Sequence, residues 1–180
     1  MNRELLKQAQ QGLRLADIGL RQTKCTIADR FDPRHEPVDA EVQMKFQLSR
    51  SEILEIDDGK EVLRKLFRVY VEVGVRWVQK PSQTASQVPS GRSESDPESG
   101  QQLATIEATF IAEYEMQSDL DTAALNEFAL HNAIWNIWPF WREYCASQAL
   151  RMNLPKVMLP LHPSIPLPAR TKSAPNLTSD

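Results

Sequence analysis

Phe67-Arg68-Val69-Tyr70-Val71-Glu72-Val73-Gly74-Val75-Arg76-Trp77 alternates apolar residues with mostly polar ones at every step. Successive side chains of a strand point to opposite faces, so Phe67, Val69, Val71, Val73, Val75 and Trp77 share one face and Arg68, Tyr70, Glu72, Gly74 and Arg76 the other. The stretch predicts a long strand with one buried face. Upstream, Val42, Met44, Phe46 and Leu48 alternate with Gln43, Lys45 and Gln47. Downstream, Ile106, Ala108, Phe110, Ala112, Tyr114 and Met116 stand opposite Glu107, Thr109, Ile111, Glu113 and Glu115. Leu13, Leu15, Ile18 and Leu20, then Cys25 and Ile27, make a weaker first strand whose phase slip implies a bend or bulge. No helical pattern long enough for a parallel crossover separates these four segments, so the sheet is predicted antiparallel.

The period changes near residue 120. Asp119-Leu120-Asp121 precedes Ala123, Ala124, Leu125, Phe128, Ala129, Ala133 and Ile134, a spacing of three and four that starts a helix. Pro139 is comfortable in a first helical turn, where its missing N–H has no partner to lose, and Asn132 and Asn136 are suitable caps. A break near residues 134–136 is therefore expected, with a second, longer helix running to about Asn153. Strands followed by helices give an α+β domain: a four-stranded antiparallel sheet, then a short and a long helix.

Composition marks the edges of this domain. Residues 80–102 hold six serines, three prolines and a single branched apolar residue, Val88, too little to offset their ordering entropy, so a flexible loop is expected. Six of the twelve prolines lie in the last 26 residues, where each removes a donor and fixes φ, which predicts an extended tail. The chain divides into an N-terminal segment 1–12, a domain 13–161 and a proline-rich, disordered tail 162–180.

Several chemistries are disfavoured. With 21 Lys plus Arg against 24 Asp plus Glu, scattered along the chain, no basic footprint for nucleic acid is present. The six glycines form no phosphate-binding motif, the three histidines stand in no metal-ligand spacing, and Cys145 has no neighbouring histidine to activate it. The expectation is a non-enzyme without cofactor or metal. Cys25 and Cys145, 120 positions apart, read as two small buried thiols, and Glu107, Glu113 and Glu115 as a solvated acidic face. Residues 1–20 lack the apolar core of a signal peptide and no run of 18 apolar residues occurs, so a cytoplasmic chain without membrane insertion is expected.

Ile134-Trp135-Asn136-Ile137-Trp138-Pro139-Phe140-Trp141-Arg142-Glu143-Tyr144 places three of the four tryptophans and a phenylalanine within seven residues. That is more aromatic surface than one narrow helix stripe hides in a small monomer. Core packing competes here with a subunit contact or an exposed client groove, for which Phe128, Trp135, Trp138, Phe140, Trp141 and Tyr144 are the candidates.

Trp138-Pro139-Phe140-Trp141-Arg142-Glu143, followed by a helix and then Leu154-Pro155-Lys156-Val157-Met158-Leu159-Pro160, resembles the signature of the SecB family of bacterial protein-export chaperones. The resemblance implies a homotetramer built as a dimer of dimers. It also implies an ATP-independent holdase that keeps preproteins unfolded in long apolar grooves and delivers them to the translocase motor SecA. The sequence departs from the family in two places. Pro163, Pro166 and Pro168 forbid the usual C-terminal lid helix. Of the acids that the resemblance assigns to motor docking, Asp29 and Glu107 are matched, whereas Cys25 replaces a further acid and Thr105 an apolar contact. Some relatives instead protect one aggregation-prone antitoxin of a toxin-antitoxin system. Three readings therefore stand: an export holdase, a dedicated chaperone for one partner, and a non-chaperone interaction module.

Overall fold

The structure, a computed structural model, describes residues 1–36, 39–57, 59, 64–80 and 101–163. Most of the predicted flexible loop and of the tail, residues 81–100 and 164–180, lies outside the described residues.

The alternating segments form four long strands: β1 Leu13–Ile27, β2 Ala40–Ile56, β3 Arg64–Gln79 and β4 Gln102–Met116. All pairings are antiparallel and the order across the sheet is β1-β4-β3-β2, so β1 and β2 form the two edges. The connection between them crosses the end of the sheet. It is tied there by the N–H of Ala28 donating to the carbonyl of Leu103 at 2.8 Å and by the buried ring of Phe31.

Register puts the predicted apolar sets on one common face. Val75 stands opposite Met44 and Ile106, and Ile106 opposite Cys25; Val73 opposite Phe46 and Ala108; Val71 opposite Leu48 and Phe110. The phase slip in β1 is two bulges, between Leu15 and Asp17 and between Leu20 and Gln22. Each inserts one residue and turns the following side chains over. That is why Leu13, Leu15, Ile18, Leu20, Cys25 and Ile27 all reach the same face despite their irregular spacing.

Three helices accompany the sheet: α1 Arg3–Gly12, α2 Thr122–His131 and α3 Ala133–Arg151. The helix α1 was not expected from residues 1–12. Asn2 caps it, its side chain accepting from the amides of Glu4 at 3.1 Å and Leu5 at 3.3 Å, and Ala9 is fully buried where α1 packs on α2. Asp121 caps α2 through an acceptor bond from the Ala124 amide at 2.6 Å.

The helix break differs from expectation. It falls at Asn132, which ends α2 by donating its N–H to the Phe128 carbonyl at 2.7 Å and precedes α3 without any side-chain cap bond. Its side-chain oxygen instead accepts from Gln10 of α1 at 3.0 Å. Asn136 does not cap either; its amide donates to the Tyr114 hydroxyl at 2.9 Å. Pro139 consequently lies inside α3 and not in its first turn. There it denies the Trp135 carbonyl its helical donor, a cost met by the packing of the surrounding helix.

The end of α3 is a Schellman motif. The N–H of Leu154 donates to the Ala149 carbonyl at 2.9 Å, that of Asn153 to Leu150 at 3.2 Å, and Asn153 takes φ 54°. Pro155 then prevents continuation, and no described residue after Arg151 is helical; Pro166 and Pro168, on which the expected loss of a lid helix also rests, lie outside the described residues. The core lies between the inner sheet face and α3, with Trp77, Trp141, Tyr114, Phe67, Ile106 and Ile137 its largest fully buried members. Among the described residues no helix is long and apolar enough to cross a membrane.

Candidate functional site

The helix α3 lies over β4 and touches β3 and β1 on either side. This position divides the aromatic run. Trp141 is 1% exposed and Trp138 6% exposed, both in the core of the single chain, with Phe128 of α2 beside them, edge-on to Tyr114 at 4.9 Å between ring centroids. Trp135 and Phe140 face outward and are each 49% exposed. Tyr144 is half-buried at the β1 side of α3, edge-on to Phe110 at 6.4 Å and with its hydroxyl 3.6 Å from the Cys25 sulfur. The six candidates thus fall into an inner set that holds the fold and an outer pair available to something else.

More apolar surface is left uncovered at both edges of the inner sheet face. Met44 of β2 is 61% exposed, and Val42, Ile53, and Leu15 and Leu20 of β1, are also exposed. The alternation in β2 correctly assigned Val42 and Met44 to the apolar face, but the expectation that this face is buried fails there. The axis of α3 runs over β4, touches β3 and part of β1, and leaves these outer residues of both edge strands uncovered.

The opposite sheet face is polar and internally paired. Lys45 reaches Glu72 at 3.0 Å, Arg68 donates to Glu113 at 2.7 Å, the Tyr70 hydroxyl donates to Glu52 at 2.7 Å, and Arg50 lies 3.9 Å above the Tyr70 ring. Glu107 sits half-buried on this face in register with Lys24 and Gly74. Asp29 is not beside it. That acid lies two residues beyond β1 and lines a cavity of about 710 Å³ between the turn at residues 29–36 and the end of α3. Cys25 is on the inner face, opposite Ile106, and Thr105 is buried. Of the four implied docking positions, Glu107 and Thr105 thus lie on β4, Cys25 on β1 and Asp29 just beyond β1. Cys25 is also exposed, which corrects its reading as a buried thiol; Cys145 is buried, and burial pushes its thiol up to about 12.

The residues after α3, which the sequence reads as extended, pack against that helix. The Trp138 indole N–H donates to the Pro160 carbonyl at 2.9 Å, Leu159 is buried in the core, and the His162 ring lies 5.5 Å from that of Trp135. Among the described residues no group of His, Cys, Asp or Glu is arranged to hold a metal ion.

No known family profile and no curated protein matches the sequence. Among solved structures, the SecB-like chaperone Rv1957 of Mycobacterium tuberculosis, in complex with a ChAD peptide from the Rv1956 HigA1 antitoxin, matches with a TM-score of 0.62. The match covers 91% of this chain and 99% of that one at 17% identity. The chain has the fold of a SecB-like chaperone. At that identity the likeness is one of fold, and it agrees with the four antiparallel strands and the bent helix in two pieces seen here.

Proposed function

We propose that the protein is an ATP-independent holdase acting in the cytoplasm as a homotetramer, and that it binds unfolded segments on the apolar surface left open by α3 and the sheet edges. The observation that carries this reading is the pairing of exposed Trp135 and Phe140 with exposed Met44, Val42, Leu15 and Leu20 in one small chain. Apolar burial stabilises by about 25 cal/mol per Å² without demanding particular side-chain geometry, so such a surface holds many unfolded sequences weakly at several points. The test is light scattering of a chemically unfolded, aggregation-prone protein diluted into buffer. Suppression without ATP at equal or lower tetramer concentration is expected, and unchanged scattering at excess tetramer refutes the reading.

A dedicated chaperone for one aggregation-prone partner, an antitoxin for example, is favoured over general export. The structural neighbour was solved with an antitoxin peptide, and two of the docking positions that the resemblance implies, 25 and 105, carry Cys and Thr in this chain. Pull-down with SecA separates the two: retention of SecA supports export delivery, and its absence supports the dedicated role.

A further inference from the structure

The residues that follow α3 are apolar and extended, and they are held in place. Leu154–Pro163 contains no helix or strand, and among the described residues no backbone amide from 155 to 163 bonds to another backbone group. Pro155, Pro160 and Pro163 have no N–H to offer. The segment is nevertheless anchored at both ends and in the middle. Leu154 and Leu159 are buried, the Pro160 carbonyl accepts from Trp138, and His162 lies against Trp135. Its length matches the helix beside it. Residues 154 to 162 span about 25 Å as an extended chain, and α3 rises about 24 Å between Trp135 and Arg151. The segment is thus a strap running back along α3, antiparallel to it, from the Schellman end to the exposed tryptophan.

Its anchors are of a kind that an unfolded segment carries anyway: an aliphatic side chain in an apolar slot, one backbone carbonyl, one flat ring. Met158 and Leu161 between them face solvent, 78% and 72% exposed. We propose that the flank of α3 from Trp135 to Arg151 is a seat for an extended apolar peptide, and that Leu154–Pro163 is its resident occupant. An outside segment of the same chemistry displaces it. The seat is read from the contacts alone; that the outside segment is a client stretch rests on the chaperone reading above.

A resident occupant lowers apparent affinity by the fraction of time the seat is filled. The probe is a synthetic fluorescent peptide of residues 156–163, titrated by anisotropy into the full chain. Leu159→Asp puts a charge into an apolar slot and releases the strap, so the peptide should bind about tenfold tighter than to the wild-type chain, and trypsin should cleave after Lys156 about tenfold faster. His162→Ala alters an exposed strap residue without touching the core, and a smaller gain in the same direction is expected. Adding Trp138→Phe to Leu159→Asp removes the indole donor and should cancel most of the gain. Equal peptide affinity in the wild type, His162→Ala and Leu159→Asp overturns the proposal, as does no binding to any of them. Suppressed aggregation with equal peptide affinities leaves the holdase standing and the strap refuted; tighter peptide binding without any suppression does the reverse.

Discussion

Side chains of the same type behave as opposites in this chain. Cys145 is 1% exposed between α3 and the sheet, and its thiol is raised to about 12 by burial, while Cys25 lies exposed on β1. Because the thiolate is the reactive form, a disulfide reagent at pH 8 should titrate one thiol in the native protein and two after denaturation. Two fast native thiols would put Cys145 outside the core. The tryptophans divide likewise. Trp141→Ala should lower stability by about 3 to 5 kcal/mol in urea unfolding, whereas Trp135→Ala should cost less than about 1 kcal/mol and weaken client binding. A Trp141→Ala protein as stable as the wild type would overturn this division. The run from Ile134 to Tyr144 was legible as a concentration of aromatic surface, but not which of its rings face outward. Trp135, Trp138 and Trp141 step by three residues, each step leaving about 60° of rotation, so they fan across the helix. Which of them meets the sheet depends on where α3 lies over β4, which no local pattern encodes.

Elements with a strict period were legible and those relying on a few contacts were not. Six alternating apolar positions specify β3 from Phe67 to Trp77, and the slip in β1 announced its bulges. By contrast the apolar face of α1 is one short amphipathic patch, Leu5, Leu6 and Ala9, in ten mostly polar residues that depend on α2 for burial. The break between α2 and α3 was misplaced because Pro139 reads as a helix start. The true junction instead uses Asn132, whose side chain is drawn away to Gln10. The two caps that were read, Asn132 and Asn136, make no cap bond, whereas Asp121 does, and that bond predicts a measurable loss. Asp121→Ala leaves the Ala124 amide without its acceptor and should reduce stability by about 1 kcal/mol. Chemical unfolding of the variant checks this, and an unchanged midpoint would mean that tertiary packing alone holds the first turn of α2.

At the scale of the whole molecule, a single chain is a poor endpoint for this surface. Among the described residues the sheet has two long free edges, the 15-residue β1 and the 17-residue β2, and each carries unpaired backbone groups beside exposed apolar side chains. On the helix side, Trp135, Phe140 and Leu150 add further exposed apolar area. Edges that pair with a second copy dispose of part of this area, closed symmetry keeps the assembly finite, and the helix-side rings left open are the client surface. The proposed tetramer gives a species of about 82 kDa, four times the 20.5 kDa chain, in native mass measurement. Met44→Glu and Trp135→Glu test the two surfaces separately, since both side chains are already solvent-exposed in the single chain and tolerate a charge there. Met44→Glu should shift the mass toward dimer or monomer, Trp135→Glu should keep the tetramer and weaken client binding, and both should leave the circular dichroism of the fold intact, because neither belongs to the packed core. A stable, well-folded 20.5 kDa monomer at micromolar concentration would overturn the tetramer and leave the same apolar surface to be filled by a partner of another kind.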